Sequence, residues 1–508
     1  MIVADWLHAR ARRRPSWPAL VTPDGAMIPY GALDERVAAL ALRLRARGIE
    51  RGDRVLALLP AGTALVELLH ACPRVGMVLA PFDPRAGLAE VERAIATVRP
   101  RLIVAAPVAA EVARHAARSV AALALPDVAV CVVEPDGAPL ADDVPRPAGA
   151  LGGVPPRIDL AAPHSIVFTS GTTGRPRGVV LRAGNHLASA RAAAARLGAD
   201  ASDRWLACLP LHHVGGLAVL LRAAIAGGTV ILQRGFDPAA VARALHDDGV
   251  TQLSLVPTTL RRLLDVPGAT PRALRVLLLG GARSEHALVA AARAAGWPVA
   301  PTYGLTETCS QVVTARPGDE VSADGFVGMP LDGVELRVLD ANGSTARAGV
   351  PGVITLRGPM VAAGTLGDDG ATAPLAPAGW LRTADRGVLD ERGCLTVLGR
   401  ADDVIVSGGE NVTPEEVEAA LLAHPAVADA GVAGVPDAEW GQVVCAWIVP
   451  RAGVEPTLAE LRDGCGMRLA RHKLPRRLVL VSSLPRTASG KLKRRLLVPS
   501  NVPAAATS

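Results

Sequence analysis

The chain has 508 residues, half of them hydrophobic and 20% charged, which excludes a disordered or collagen-like protein and leaves room for two or more folding units. Its 54 basic and 48 acidic side chains are interspersed and only 3% of residues are aromatic, so the net charge of +6 does not argue for nucleic acid; it reflects mostly a compositional drift toward arginine, with a hint of anionic small ligands. Seven scattered cysteines with no CxxC pair exclude a disulfide scaffold and a cysteine zinc site, and a reduced, cytoplasmic compartment fits them.

In chain order, Met1–Trp17 carries Arg10, Arg12, Arg13 and Arg14 with no apolar stretch behind them, and reads as an amphipathic helix rather than a signal peptide. Tyr30–Arg47, Gly62–Val75 and Gly87–Val98 have helical apolar spacing; Asp53–Leu59, Val78–Pro81 and Arg101–Ala106 are apolar runs of strand length. This alternation predicts an α/β fold of parallel sheets with helices on their faces. Pro135–Pro156 is rich in Pro, Gly and Asp and predicts a surface loop. A strand at Ser165–Thr169, a Gly-rich turn, an Ala-rich helix ending at Leu197 and a strand at Arg204–Leu209 continue the pattern. Val214–Leu232 is the most apolar long stretch, but four glycines and Arg222 interrupt it. A spanning helix needs about 20 apolar residues, so this segment predicts a buried helix and strand and no membrane span.

After Asp319 the texture changes. Short β-branched runs at Glu335–Leu339, Gly352–Leu356, Trp380–Arg382 and Cys394–Leu398 predict a small antiparallel sheet or barrel over about 320–398. Polar Gly399–Asp403 is the candidate hinge. Beyond it, Thr413–Leu422 opens Thr-Pro-Glu-Glu, a helix-capping pattern. Strands near Val427–Val432 and Val443–Val449 and a helix at Thr457–Leu469 complete a compact α+β lobe, with a disordered tail after Pro499. The expected organisation is a large N-terminal domain over 1–398, a hinge over 399–403 and a small mobile C-terminal domain over 404–508.

The sharpest chemical feature is Ile166-Val-Phe-Thr-Ser-Gly-Thr-Thr-Gly-Arg-Pro-Arg-Gly-Val-Val180. Thr169, Ser170, Thr172 and Thr173 interleave with Gly171 and Gly174, giving a loop of hydroxyl and backbone N–H donors suited to nucleotide phosphates. It is neither a Walker P-loop nor GxGxxG. An ordinary surface turn is the plain alternative, and the length of the whole string argues against it. The lysines add a second signal. Only three occur among the 54 basic residues, Lys473, Lys491 and Lys493, all near the C-terminal end. Where arginine has taken nearly every basic position, a lysine marks a place for a compact ammonium.

The Thr169–Arg177 string resembles the phosphate-binding signature of adenylate-forming enzymes, which include acyl- and aryl-CoA ligases, peptide-synthetase adenylation domains and luciferases. Four more strings follow in that family's order: Tyr303-Gly-Leu-Thr-Glu-Thr308, Trp380-Leu-Arg-Thr-Ala-Asp-Arg-Gly387, Gly399-Arg-Ala-Asp-Asp-Val-Ile-Val-Ser-Gly-Gly-Glu-Asn411 and Leu484-Pro-Arg-Thr-Ala-Ser-Gly-Lys491. The resemblance implies ATP, Mg²⁺ and coenzyme A as ligands and carboxylate activation through an acyl-adenylate. In that scheme Lys491 bridges the substrate carboxylate and the α-phosphate, Glu307 holds Mg²⁺ and Thr306 bonds the α-phosphate. Asp385 accepts the ribose hydroxyls, Arg400 reaches ribose or phosphate, and Arg177 stands where the family usually has Lys. Tyr303 offers its face to adenine, with Thr302, Gly304, Gly281 and Ala282 beside it. Asp402 is the implied pivot, Gly408 and Gly409 help admit the pantetheine arm, and Lys473, with Arg471 and Arg476, suits the coenzyme's phosphates. The plain alternatives are a solvated tail lysine, a helix-start Thr–Glu pair, a core tyrosine and a solvated basic face. A second departure is Ala384, where the family usually has Gly; its methyl group sits beside the ribose position and would modestly weaken ATP binding.

For the acid, Pro210-Leu-His-His-Val-Gly-Gly216 corresponds to a motif that usually reads Pro-Leu-Phe-His, making His213 the pocket wall. No acidic residue occurs from Leu206 to Phe236 and no carrier-domain serine motif follows, so an amino-acid substrate is disfavoured. Two features resemble o-succinylbenzoate–CoA ligases of menaquinone biosynthesis: the continuation Cys-Ser-Gln-Val-Val-Thr314 after Thr308, and Arg222 nine residues after His213. A dicarboxylate leaves one carboxylate charged after the other is activated, and a buried cation meets that need. An arginine that pairs with a neighbouring acid or snorkels to the surface is the structural alternative. Ser310, Gln311 and the turn beginning at Gly280 complete the expected pocket. Other acyl-CoA ligases, an acyl-AMP ligase loading a carrier protein and a non-catalytic nucleotide binder are the competing functions; the last would be expected to lack Lys491, Glu307 or Asp385, and all three are present.

Overall fold

The computed structural model describes the whole chain except 122–127, 138–154, 170–176, 368–369, 377, 408–409, 438, 467–468, 488–489 and 498–508. Most of the loop expected at 135–156 and the tail after Pro499 therefore lie outside the described residues.

Two large sheets share one core. In the first, strands Leu102–Ala105, Arg54–Leu58, Val78–Pro81 and Pro163–Thr169 run parallel, and Arg177–Arg182 pairs antiparallel beside them. Alternate residues of these strands feed opposite cores, as a two-residue period requires. Val55, Ala57, Leu79 and Val104 join one cluster with helices Tyr30–Ala46 and Thr63–Arg74. Leu56, Leu58, Ala80 and Ile103 join another with helices Leu88–Val98 and Pro107–Ala121. The second sheet has a parallel half built from Pro18–Val21, Thr229–Leu232, Arg204–Ala207, Gln252–Leu255, Val276–Leu279 and Val299–Leu305. One of its faces joins the shared core through Trp205, Ala207, Val230, Leu232 and Leu278.

The antiparallel texture after Asp319 is present. Strands Phe326–Pro330, Leu395–Arg400, Leu381–Leu389, Gly352–Arg357 and Glu335–Leu339 continue the second sheet, while Gly364–Leu366 and Thr372–Pro374 extend the first. Val214–Leu232 is the expected buried helix, Val214–Ala226, and strand, Thr229–Leu232, separated by left-handed Gly227. No helix among the described residues is long and apolar enough to cross a membrane.

The C-terminal lobe packs helices Pro414–Leu422 and Leu458–Gly466 on a five-stranded sheet centred on Val427–Asp437 and Gly441–Pro450. The Thr-Pro-Glu-Glu start puts Pro414 in the first turn, but the Thr413 side chain makes no capping bond. Both glutamates are used elsewhere: Glu415 accepts from Arg494 and Glu416 from Lys473.

One buried carboxyl carries a pH prediction. Glu67 on Thr63–Arg74 is 2% exposed and 3.7 Å from the half-exposed Arg36. Burial, opposed by Arg36 and Arg43, pushes its pKa up to about 7. Because the folded value is the raised one, its contribution to stability is complete below the ordinary carboxylate value and is lost as pH rises through about 7. Glu67→Gln is expected to exceed wild type by about 1–3 kcal/mol near about pH 8 and by less than about 1 kcal/mol near about pH 5, measured by denaturant melts.

Candidate active site

Parallel strands end in a common plane, and ligands of open α/β sheets sit beyond those carboxyl ends. The second sheet follows that rule. Leu209–Leu211, Val256–Thr259 and Gly281–Ala282, each just past such an end, line an open cleft of about 1260 Å³. Tyr303, Gly304, Asp385 and Arg400 line it too, and from the C-terminal lobe come Arg486, Gly490, Lys491 and Arg494. The lysine expected to act on a distant segment thus opens onto the cleft of the tyrosine and aspartate expected to hold a nucleotide.

Asp385 and Arg400 face each other across paired strands, with Arg400 Nη1 3.9 Å from Asp385 Oδ1. Tyr303 Oη donates to Asp385 Oδ2 at 2.7 Å, and the backbone N–H of Asp385 donates to Thr383 Oγ1 at 3.1 Å. Burial, then the negative Asp385, pushes the Tyr303 hydroxyl well above its ordinary pKa, so it remains a donor. Thr306 and Glu307 lie in the short 3-10 turn Thr306–Thr308 that ends this strand. Burial is the largest influence on Glu307 and raises its pKa; Asp385 raises it further, while Arg400 and Lys491 pull it down. These charges share one neighbourhood. Mg²⁺ is commonly held by one or two carboxylates with its remaining ligands from phosphates and water, and Glu307 is the carboxylate that suits it here. No cluster of three acidic, His or Cys side chains that could hold a metal by itself occurs among the described residues.

Thr169 ends its strand directly opposite Arg177, the first residue of the antiparallel neighbour. Ser170, Gly171, Thr172, Thr173 and Gly174 themselves lie outside the described residues. Thr302 lines the cleft beside Tyr303, and its hydroxyl is held 2.9 Å from Val313 O and 2.8 Å from Thr314 Oγ1 on the adjacent strand. Gly280 packs on Thr302, where a Cβ would lie 2.7 Å from the threonine methyl, so it supports the pocket wall from behind.

On the acid side, Arg222 occupies the buried helix Val214–Ala226 and is 6% exposed. It neither snorkels nor pairs with a carboxylate among the described residues. Its Nη2 donates to Ser310 Oγ at 3.1 Å, its guanidinium lies 5.9 Å from the Trp205 ring centre, and its Nε has no partner. Burial lowers its pKa to about 10, which still leaves it cationic at neutral pH. His213, at the N-terminal cap of this helix, has a partnerless buried Nε2, and so does Gln311, next to Ser310, at its Nε2. Burial also lowers the pKa of His213. Buried donors without partners are rare in folded chains and point to a polar ligand. The turn that presents Ser310 is strained: Cys309 has φ 53° and Ser310 φ 91°. Non-glycine residues held there cost about 1–3 kcal/mol each and persist only where their surroundings impose them.

The C-terminal lobe meets the cleft closely. A Cβ on Gly490 would lie 2.7 Å from Thr258 Oγ1 on helix Pro257–Leu264, and Arg283 Nη1 donates to the Glu415 carbonyl at 3.1 Å. Arg494, three residues after Lys491, bonds Asp403 at 2.7 Å, Glu415 at 3.0 Å and Glu418 at 2.7 Å. This network ties the lysine's segment to the turn Ala401–Asp403, which includes the backbone of Asp402. Sequence reading did not single out Arg494; one arginine in an Arg-rich tail carries no local signal. Lys473 Nζ bonds Glu416 at 2.7 and 2.8 Å within the lobe in this arrangement. Arg476 stacks 3.9 Å over the Trp440 ring. Gly408 and Gly409 lie outside the described residues.

The profile of the AMP-binding enzyme family matches residues 7–366, and that of the AMP-binding enzyme C-terminal domain matches 416–491. The chain belongs to the AMP-binding enzyme family. It is 36% identical to 2-succinylbenzoate–CoA ligase of Bacillus licheniformis, over 96% of this chain and 97% of that protein. The o-succinylbenzoate CoA synthetase of Bacillus subtilis, in complex with its acyl-adenylate intermediate OSB-AMP, matches with a TM-score of 0.87 at 32% identity over 99% of both chains. A double mutant of that synthetase bound to the product analogue OSB-NCoA matches with a TM-score of only 0.71, over 98% of both chains. At nearly equal identity and coverage, this AMP-binding enzyme is thus arranged more like the acyl-adenylate complex.

Proposed function

We propose that this AMP-binding enzyme is an ATP-dependent ligase that joins o-succinylbenzoate to coenzyme A through an acyl-adenylate. In the first step a carboxylate oxygen attacks the α-phosphorus of ATP in line, the bond to the bridging oxygen breaks, and pyrophosphate leaves. In the second the coenzyme thiol attacks the acyl carbonyl carbon, the thiol proton is lost, and AMP leaves with the carbonyl–oxygen bond electrons. Phosphoryl chemistry of this kind asks the protein mainly for positioning and charge neutralisation. Lys491 brings its ammonium to the carboxylate and α-phosphate. Asp385, oriented by Tyr303, receives the ribose hydroxyls, and Arg400 stands across from it. The segment Thr169–Gly174, with Arg177, wraps the outer phosphates. Glu307 would hold Mg²⁺, which when bound neutralises phosphate charge, and Thr306 bonds the α-phosphate.

The observation that carries the substrate choice is Arg222: a cation 6% exposed, with an unpartnered Nε and no carboxylate of its own among the described residues. Removing a charge from water costs several kcal/mol unless a partner compensates it. The ring carboxylate of o-succinylbenzoate supplies that partner, with Ser310, Gln311 and His213 as further hydrogen-bonding groups. After adenylation the lobe over 404–508 turns about Asp402 in the segment 399–403. Lys491 withdraws, and the 408–409 loop and the Arg471–Arg476 face, with Lys473 released from Glu416, meet coenzyme A. Seven scattered cysteines, none joined in a disulfide among the described residues, support a reduced, cytoplasmic setting.

Pyrophosphate release measured over a panel of acids tests the substrate. With coenzyme A present, o-succinylbenzoate is expected to exceed β-benzoylpropionate, which lacks the ring carboxylate, and benzoate by about a hundredfold or more in kcat/KM. Equal use of β-benzoylpropionate would remove the dicarboxylate reading, and release on supply of a carrier protein but not coenzyme A would shift the acceptor.

A further inference from the structure

We propose that His186, together with Ser189, is a positioning residue for the acid pocket: the pair clamps the strained Cys309–Ser310 turn from behind and so aims Ser310 and Arg222 at the substrate's second carboxylate. This rests on the proposed role of Arg222 and goes beyond it to two residues that touch no ligand.

Both residues lie on the helix Ala183–Leu197, three positions apart and hence on one face. His186 Nδ1 is 3.1 Å from Cys309 Sγ, and Nε2 is 2.9 Å from Ser165 Oγ. Ser189 Oγ donates to the Cys309 carbonyl oxygen at 3.0 Å. All four residues are buried. The turn is thus gripped at both its side chain and its backbone, at the residue where it enters the left-handed region. Thr308 Oγ1, 2.8 Å from the Ser310 carbonyl, holds the other end. Ser310, with φ 91°, then presents its hydroxyl to Arg222 Nη2. A serine does not adopt that conformation freely, so the orientation is imposed by what grips it.

The ring is itself held. His164 packs edge-on against it at 4.8 Å. Burial, then the neighbouring His164 and Arg222, pushes the pKa of His186 well below its ordinary value. An uncharged imidazole has one donor and one acceptor, which suits one thiol and one hydroxyl partner. The thiol is passive: burial pushes its pKa up to about 12, so Cys309 serves as a neutral hydrogen-bonding group. The nucleotide side of the same segment is anchored separately, by the Ala362 N–H donating to the Glu307 carbonyl at 2.8 Å. Loosening the clamp should therefore reach the acid pocket and spare the nucleotide.

The test measures KM for o-succinylbenzoate, KM for ATP and kcat by pyrophosphate release, with β-benzoylpropionate as the comparison acid. His186→Ala is expected to raise the o-succinylbenzoate KM about tenfold and to lower the preference over β-benzoylpropionate by a similar factor, with the ATP KM within about twofold of wild type. His186→Asn retains a polar group at the Nδ1 position facing Cys309 and is expected to restore most of the preference; His186→Gln retains only the Ser165 side and is not. Ser189→Ala is expected to lower the preference about threefold, and its effect decides the matter should the His186 variants fail to fold. In an Arg222→Leu background either clamp substitution should change the preference by less than about twofold, because it acts through that arginine. A preference unchanged in His186→Ala and Ser189→Ala but lost in Arg222→Leu would overturn the clamp alone. A preference unchanged in Arg222→Leu would overturn the pocket reading beneath it. Equal loss of ATP and acid binding in the clamp variants would mark them as merely structural and also overturn the proposal.

Discussion

Lys491→Ala is expected to lower acid-dependent pyrophosphate release about a thousandfold while thioester formation from supplied acyl-adenylate and coenzyme A falls less than about threefold. The asymmetry follows from place. Lys491 opens onto the cleft of Tyr303, Asp385 and Arg400, close enough to Glu307 for its charge to lower that carboxyl's pKa. It sits beside Gly490, where the C-terminal lobe touches Thr258. A group brought in by that contact acts while the lobe is docked this way and leaves when the lobe turns. Lys491→Arg is expected to recover little, because a planar fork cannot occupy the site of a compact ammonium between two anions. Arginine fills nearly every other basic position of the chain, so its failure here would explain why lysine is present. Measuring the two half-reactions separately checks both expectations. Equal loss of both would show that Lys491 is needed for folding or for the thioester step as well.

Arg222→Leu carries the second large expectation: kcat/KM for o-succinylbenzoate falls about a hundredfold or more, while that for β-benzoylpropionate changes less than about threefold. The guanidinium is buried with one neutral hydroxyl partner and a free Nε. Losing it would leave the ring carboxylate without a cationic partner, the costly case for a buried charge. Stability provides an independent readout. A buried cation without a carboxylate weakens the unliganded fold, so the leucine variant should melt at the same or a higher temperature than wild type. A variant that both melts lower and keeps its preference would mean that Arg222 is structural.

The fold was legible where local period decides structure. Alternating strand and helix lengths identified the parallel sheets because each strand there is buried on both faces, as at Val55–Leu58. The continuation of the second sheet by the strands after Phe326 was not legible, since which edge a short strand joins depends on distant partners. The candidate site divides in the same way. Tyr303, Asp385, Arg400 and Lys491 stood out through contiguous strings, and Arg222 through a charge in an apolar helix. Its bond to Ser310 spans 88 residues, that of His186 to Cys309 spans 123, and that of Arg494 to Asp403 spans 91. No local pattern reports such pairs, so the clamp and the lobe network emerge only from the assembled structure. Thr302 and Lys473 show the same limit: their strings do not report that the hydroxyl of the one bonds a neighbouring strand and the ammonium of the other a glutamate.

Exchange of radiolabelled pyrophosphate into ATP, measured with o-succinylbenzoate and without coenzyme A, tests the acyl-adenylate route most directly. Reversible formation of a mixed anhydride predicts exchange that depends on the acid, needs no thiol and disappears in Lys491→Ala. Exchange that is absent until coenzyme A is added, or that persists without the acid, would contradict it.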